Sequence, residues 1–143
     1  MSNVERRITM LRKTIKFTDY NGVEREETHY FHLSKAEIME MELSTTGGFT
    51  EMIDKVIAAK DMPSIIRIFK DLILKSYGEK SPDGRQFIKI DENGRPLYNK
   101  FVQTEAYSVL FMELATNAEA AADFVNGIVP SDISKDELEN NTN

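Results

Sequence analysis

The sequence predicts an α+β fold in which an N-terminal β-hairpin is followed by about five helices, mostly helical overall. Three observations support this prediction. Residues of alternating polarity flank an Asn-Gly pair near the N-terminus, which is typical of a hairpin. Further along the chain, apolar residues recur at three- and four-residue spacings, which is helical periodicity. A chain of 143 residues is long enough for one domain with a substantial core.

The hairpin is predicted from Leu11 to Leu33, with its turn at Tyr20–Val23. Asn-Gly tolerates the positive φ angles of a type I′ turn. The first strand is basic and the second is rich in glutamate, so cross-strand ion pairs are available. A free first strand would recruit other chains. The candidate self-association edge consists of Lys13, Ile15 and Phe17.

Two helices are predicted after the hairpin. Ser34 and Glu37 have the spacing of a capping box, in which each side chain bonds the backbone N–H of the other residue. This helix is expected to extend to about Leu43, where a segment containing Gly47 and Gly48 breaks it. A second helix is expected over Phe49–Lys60.

The segment Pro63–Gly78 is predicted to be the central helix. Its residues are apolar around most of the circumference, so other elements must cover it on several sides. Pro63 suits the first helical turn because its missing N–H is not needed there. Gly78 suits the position just past the end, where a left-handed conformation costs least.

The segment Glu79–Lys100 is expected to be a loop or small hairpin with turns at Ser81–Gly84 and Asp91–Gly94. A β-prone run, Gln86–Ile90, lies between them, and Arg95–Asn99 could return as a strand. Its length without a helix makes it a candidate binding arm. An ordinary connecting loop is the alternative.

The C-terminal part of the chain predicts two more helices. The first, Gln103–Ala115, is strongly apolar. Asn117 is expected to cap the second, which ends at Gly127 and has a buried face of Ala121, Phe124 and Val125. We expect residues 1–10 to be a flexible arm, 11–130 a single α+β domain and 131–143 a disordered acidic tail.

Composition argues against several function classes. The net charge of −6 disfavours nucleic acid as a partner, and no apolar run is long enough to span a membrane. The absence of cysteine rules out thiol catalysis and cysteine-based zinc sites. His29 and His32 are expected on opposite faces of a strand, so they cannot bind one metal together. We therefore predict a protein that is not an enzyme and has no catalytic residues, cofactor or metal.

Methionine is the more informative residue type in this sequence. Four methionines cluster within one short interval, and flexible thioether side chains adapt to varied apolar partners. These residues are therefore candidates for binding a client protein: Met39, Met41, Met52 and Met62. The alternative is that they fill gaps in the core.

Four stretches of the sequence are distinctive. They read FTDYNGVERE, LSKAEIMEMELSTTGGF, IIRIFKDLILKSYGEKSPDGRQFIK and QTEAYSVLFMELATNAEAAADFVNGIVP. Together they resemble the tail assembly chaperones of long-tailed bacteriophages and prophages. The resemblance extends from about Met10 to Pro130 and is most specific over Leu74–Lys89, where polar and turn residues match. Residues 1–9 depart from the pattern, because such proteins usually begin near the hairpin.

The resemblance implies a role in assembly. Such a chaperone would bind and solubilise the tape measure protein, help to recruit tail tube subunits, form homo-oligomers, and leave before the virion is complete. It would act in the cytoplasm of the bacterial host. Two alternatives remain open at this point: a structural tail or neck protein that is retained in the virion, and a small prophage regulatory protein.

Overall fold

The computed structural model describes residues 10–44, 48, 51, 54, 58 and 62–130 of the chain. It has the predicted α+β architecture. Strand β1 (Leu11–Thr18) pairs antiparallel with β2 (Glu24–Phe31) along its whole length. Two short strands, β3 (Tyr77–Lys80) and β4 (Phe87–Ile88), extend the sheet in the order β1-β2-β3-β4. The predicted N-terminal arm and acidic tail lie almost entirely outside the described residues and stay predictions.

The hairpin turn is closed one residue earlier than predicted. The backbone N–H of Gly22 donates to the carbonyl oxygen of Asp19 at 3.0 Å, and Gly22 has a φ of 79°. The Asp19 carboxylate accepts hydrogen bonds from the backbone N–H groups of Asn21 and Val23. An aspartate that bonds the backbone ahead of it stabilises a turn that starts at its own position.

Among the described residues, five helices follow the hairpin. They are α1 (Lys35–Ser44), α2 (Met62–Ser76), α3 (Tyr98–Phe101), α4 (Glu105–Thr116) and α5 (Ala118–Ile128). The capping box is confirmed, because the N–H of Ser34 donates to Glu37 Oε1 at 2.8 Å and the N–H of Glu37 donates to Ser34 Oγ at 3.1 Å. Asn117 caps α5 as predicted. Most of the predicted helix over Phe49–Lys60 lies outside the described residues.

The core is formed between the inner face of the sheet and the helices. Helix α2 contributes Phe69, Leu72 and Ile73, all buried. Within the described part of the chain, helix α4 contacts β1, α2 and α5, and helix α2 contacts α4 and β2. The remaining members of the core are Ile15, Phe31, Leu33, Ile38, Met41, Phe101, Ala106, Leu110, Leu114, Ala121, Phe124, Val125 and Ile128.

Two glycines predicted to end helices have another role. Gly78 does not follow α2 in a left-handed conformation but lies in β3, next to β4. A Cβ at Gly78 would lie 2.6 Å from the carbonyl oxygen of Ile88. Helix α5 continues through Gly127, where a Cβ would lie 2.7 Å from Leu11 Cδ1. Both positions therefore allow close approach between elements.

The segment after α2 is an ordered extension of the sheet. Strand β4 is followed by an isolated bridge between Ile90 and Pro96. The turn at Asp91 repeats the geometry of the first hairpin turn, with Gly94 N–H donating to Asp91 O at 3.0 Å. The expected return strand over Arg95–Asn99 is reduced to this bridge, because helix α3 begins at Tyr98.

Candidate binding surfaces

The structure describes the side chains of two of the four predicted client-binding methionines. Met41 is 5% exposed and belongs to the core, and Met39 is partly buried against it. Met62 is the first residue of α2, but its side chain and the whole of Met52 lie outside the described part of the chain. The described residues therefore include one methionine of this group with partly accessible surface, Met39. The client-binding role of the group stays a prediction.

Helix α4 presents an exposed apolar stripe that the sequence reasoning missed. We define the α4 stripe as Val109 and Met112, which lie three residues apart and share one face of the helix. Val109 is 43% exposed and Met112 is 55% exposed. A helix that is apolar on nearly every side is normally covered on every side. The missed signal was that α4 has too few polar residues for a surface helix.

The chain segment that contains the α4 stripe is acidic. Residues 101–130 contain four acidic residues and no lysine or arginine: Glu105, Glu113, Glu119 and Asp123. The Nζ of Lys13, from β1, lies 2.9 Å from Glu113 Oε1. This ion pair ties the first strand to α4 and compensates one of the four negative charges.

The three residues predicted for self-association lie on an edge strand, but their side chains do not point away from the sheet edge. Strand β1 is the outermost strand of the sheet, as expected. However, the side chain of Ile15 is buried and that of Phe17 packs against the core. Lys13 forms the ion pair with α4. These three side chains therefore belong to the inner face of the sheet, and any partner at this edge would bond the backbone.

A notch of about 550 Å³ lies where β2 and β3 diverge, and its walls include Thr28, His29, Tyr77 and Lys80. The Nδ1 of His29 lies 3.3 Å from the hydroxyl oxygen of Tyr77, and the His29 Nε2 lies 3.2 Å from Glu27 Oε1. Burial raises the pKa of Tyr77, and nearby glutamates add to the effect. The ring of His32 is edge-on to Phe87, whereas the ring of His29 packs against Tyr77 and Phe101.

The segment between β3 and α3 is anchored to the helices. The Nζ of Lys89 lies 2.7 Å from Glu37 Oε2 and 2.7 Å from the carbonyl oxygen of Lys75. One ammonium group thus joins β4's end to the first turn of α1 and the last turn of α2. The segment is therefore anchored to two helices, and its role as a binding arm stays a prediction.

Residues 10–142 match the model of a family described as phage tail assembly chaperone. The chain belongs to the phage tail assembly chaperone family. No curated protein and no solved structure matches the chaperone in the other two comparisons. Among its described residues, no helix is long and apolar enough to cross a membrane.

Proposed function

We propose that the chaperone binds and solubilises the tape measure protein and helps to recruit tail tube subunits while the tail assembles. Membership of the phage tail assembly chaperone family is the observation that carries the proposal. In this proposal the protein acts in the cytoplasm of the bacterial host as a homo-oligomer and is absent from the mature virion. It requires no catalytic residue, because masking an apolar surface involves no covalent chemistry.

The α4 stripe is the proposed site of client contact. Val109 and Met112 are both large, apolar and exposed on a well-packed helix. An amphipathic helix can lay its apolar face against such a stripe. The acidic composition of the segment that contains α4 favours a client helix whose apolar face is flanked by lysine or arginine. Met39, Met52 and Met62 remain additional candidates, since flexible thioethers adapt to varied apolar partners.

Co-expression with a tape measure fragment tests the proposal. Wild-type chaperone should increase the yield of soluble fragment. A double variant, Val109→Gln with Met112→Gln, should lower that yield while its melting temperature stays near the wild-type value, because both side chains are exposed. Leu43→Gln is the matched control, since Leu43 is an apolar helix residue that is 70% exposed on α1.

The outcomes distinguish failure of the proposed client binding from failure of the α4 stripe as its site. If wild-type chaperone does not raise the soluble yield, client binding itself is wrong. If wild type works and the double variant works equally well, the function stands and the α4 stripe is not the site. Mass spectrometry of purified virions tests one of the two alternatives, because a structural tail protein would be found in the particle.

A further inference from the structure

The hairpin has two backbone edges that lack a strand partner within the described part of the chain, and these edges carry opposite charges. We propose that the outer edge of β1 in one copy pairs with the open edge of β2 in a second copy. This inference deepens the proposed function, because it assigns surfaces to the self-association that the proposal includes.

The hydrogen bonds identify which backbone groups face each edge. The N–H of Asp19 donates to the carbonyl oxygen of Val23 at 2.8 Å, so these two residues form a bonded pair. Bonded and non-bonded pairs alternate in an antiparallel ladder. The odd-numbered residues of β1 therefore bond β2, and the backbone groups of Arg12, Thr14 and Lys16 point outwards from the sheet.

The same alternation applies on the other side of β2. The N–H of His32 donates to the carbonyl oxygen of Ser76 at 2.8 Å, in the direction of β3. The backbone groups of Glu24, Glu26 and Thr28 therefore point in that direction too. Strand β3 pairs only with Tyr30 and Phe31 before it turns away to pair with β4. The first part of β2 thus has an open edge that leads into the notch.

Charge complementarity favours β1 against β2 over β1 against β1. The exposed residues at the β1 edge include Arg12 and Lys16, and those at the open β2 edge include Glu24 and Glu26. Antiparallel pairing of two β1 edges would place Arg12 of one copy close to Lys16 of the other, and like charges opposite each other destabilise a sheet. Pairing β1 with β2 of the next copy places basic residues opposite acidic ones.

The hairpin itself is an example of this pairing chemistry. Within one copy, the Nζ of Lys16 lies 3.5 Å from Glu26 Oε2 across the antiparallel ladder. In the proposed contact, β1 of a second copy also runs antiparallel to β2. It again places basic residues opposite acidic ones, but at the other edge of β2. The two surfaces in the contact differ, so the interface is heterologous and does not close when two copies have met. Association should therefore proceed beyond the dimer.

Proline variants block one edge at a time, because proline lacks the N–H group that an edge needs. Thr14→Pro removes an outward N–H from β1, and Glu26→Pro removes one from the open edge of β2. Both N–H groups point away from the β1–β2 ladder, where proline is tolerated in edge strands. Circular dichroism and melting curves establish that each variant is folded.

The expected result comes from light scattering at micromolar protein concentration without client. Wild type should form species larger than a dimer, and each proline variant alone should be a monomer. An equal mixture of the two variants should form a dimer, because one intact β1 edge meets one intact β2 edge. A wild type that stays monomeric overturns the proposal. A Glu26→Pro variant that still dimerises, beside a monomeric Thr14→Pro variant, overturns it in favour of β1–β1 pairing.

Amide hydrogen exchange of the wild type provides a second test that does not depend on a folded variant. Raising the protein concentration should protect the amides of Thr14, Lys16, Glu24 and Glu26 together. Protection at only one of the two edges, or at neither, overturns the proposal. Neither measurement uses a client, so failure of tape measure binding and failure of edge pairing are distinguished.

Discussion

Lys89 Nζ lies 2.7 Å from Glu37 Oε2 and 2.9 Å from Glu37 Oε1, so one ammonium contacts both oxygens of the carboxylate. Glu37 Oε1 also accepts a hydrogen bond from the backbone N–H of Ser34, the residue just before α1. The same ammonium donates to the carbonyl oxygen of Lys75 near the end of α2. The contact therefore holds two helix ends and the segment after β4 in one arrangement.

Lys89→Met should lower the free energy of unfolding by about 1–2 kcal/mol, because charge-assisted hydrogen bonds from a half-buried lysine are lost. Burial lowers the pKa of Lys89, and its bond to Glu37 does not fully reverse this. The ion pair thus recovers only part of the desolvation cost, which keeps the expected loss modest. Urea denaturation measures it. Lys70→Met, an exposed lysine on α2, is the control and should have little effect.

The stability of the wild type should decrease in acid partly through Glu37. Burial alone would raise the pKa of Glu37, but hydrogen bonds from Lys89 and Ser34 outweigh it and lower the pKa below the ordinary value of 4.5. A carboxyl group with a lowered folded-state pKa stabilises the fold above its unfolded pKa. That contribution is lost as the pH falls through the lowered pKa.

Denaturation at a series of pH values checks this expectation. Wild type should be more stable than Glu37→Gln at neutral pH, and the difference should shrink as the pH falls below about 4.5. A difference that stays constant down to pH 3 would show that the charge of Glu37 does not matter.

Local sequence signals predicted the elements well because they act over a few residues. The capping box at Ser34 and the cap at Asn117 are both present. Contacts between distant segments could not be predicted in the same way. Gly78 was predicted to end a helix, because glycine is common just after the last helical residue. The close approach of β4 explains why glycine is needed at this position.

The candidate binding surfaces show the same difference between local signals and contacts of distant segments. The predicted hairpin made its first strand a candidate free edge, and β1 is an outermost strand of the sheet. Which backbone groups are open depends on register and on where β3 leaves β2, and neither is encoded in a local pattern. The pairing of Lys89 with Glu37 connects residues far apart in the chain, so no spacing rule could find it.

Gly78→Ala should lower the free energy of unfolding by about 1–3 kcal/mol, the usual cost of forcing extra atoms into a packed site. The added Cβ would meet the carbonyl oxygen of Ile88, which is part of the backbone and cannot move alone. Gly127→Ala is the comparison. Its Cβ would meet the side chain of Leu11, which can shift, and alanine is the better helix former. Gly127→Ala should therefore be close to neutral, and equal losses in the two variants would contradict the argument.

Met39→Gln and Met41→Gln should behave differently, although the residues are near neighbours on α1. Met41 is buried, so its replacement places an amide in the core at a cost of about 1–3 kcal/mol. Met39 is only partly buried, so glutamine can turn its amide towards water and the loss should be smaller. Thermal melting of the two single variants measures the difference.

Client solubility then separates the two interpretations of these methionines. If Met39 contacts the tape measure protein, Met39→Gln should reduce the soluble yield of a co-expressed fragment while the melting temperature changes little. Met41→Gln should reduce that yield only in proportion to the folded chaperone that is lost. A Met39→Gln variant that is less stable but solubilises its client as well as wild type would assign Met39 to the core, leaving the α4 stripe as the surface to test.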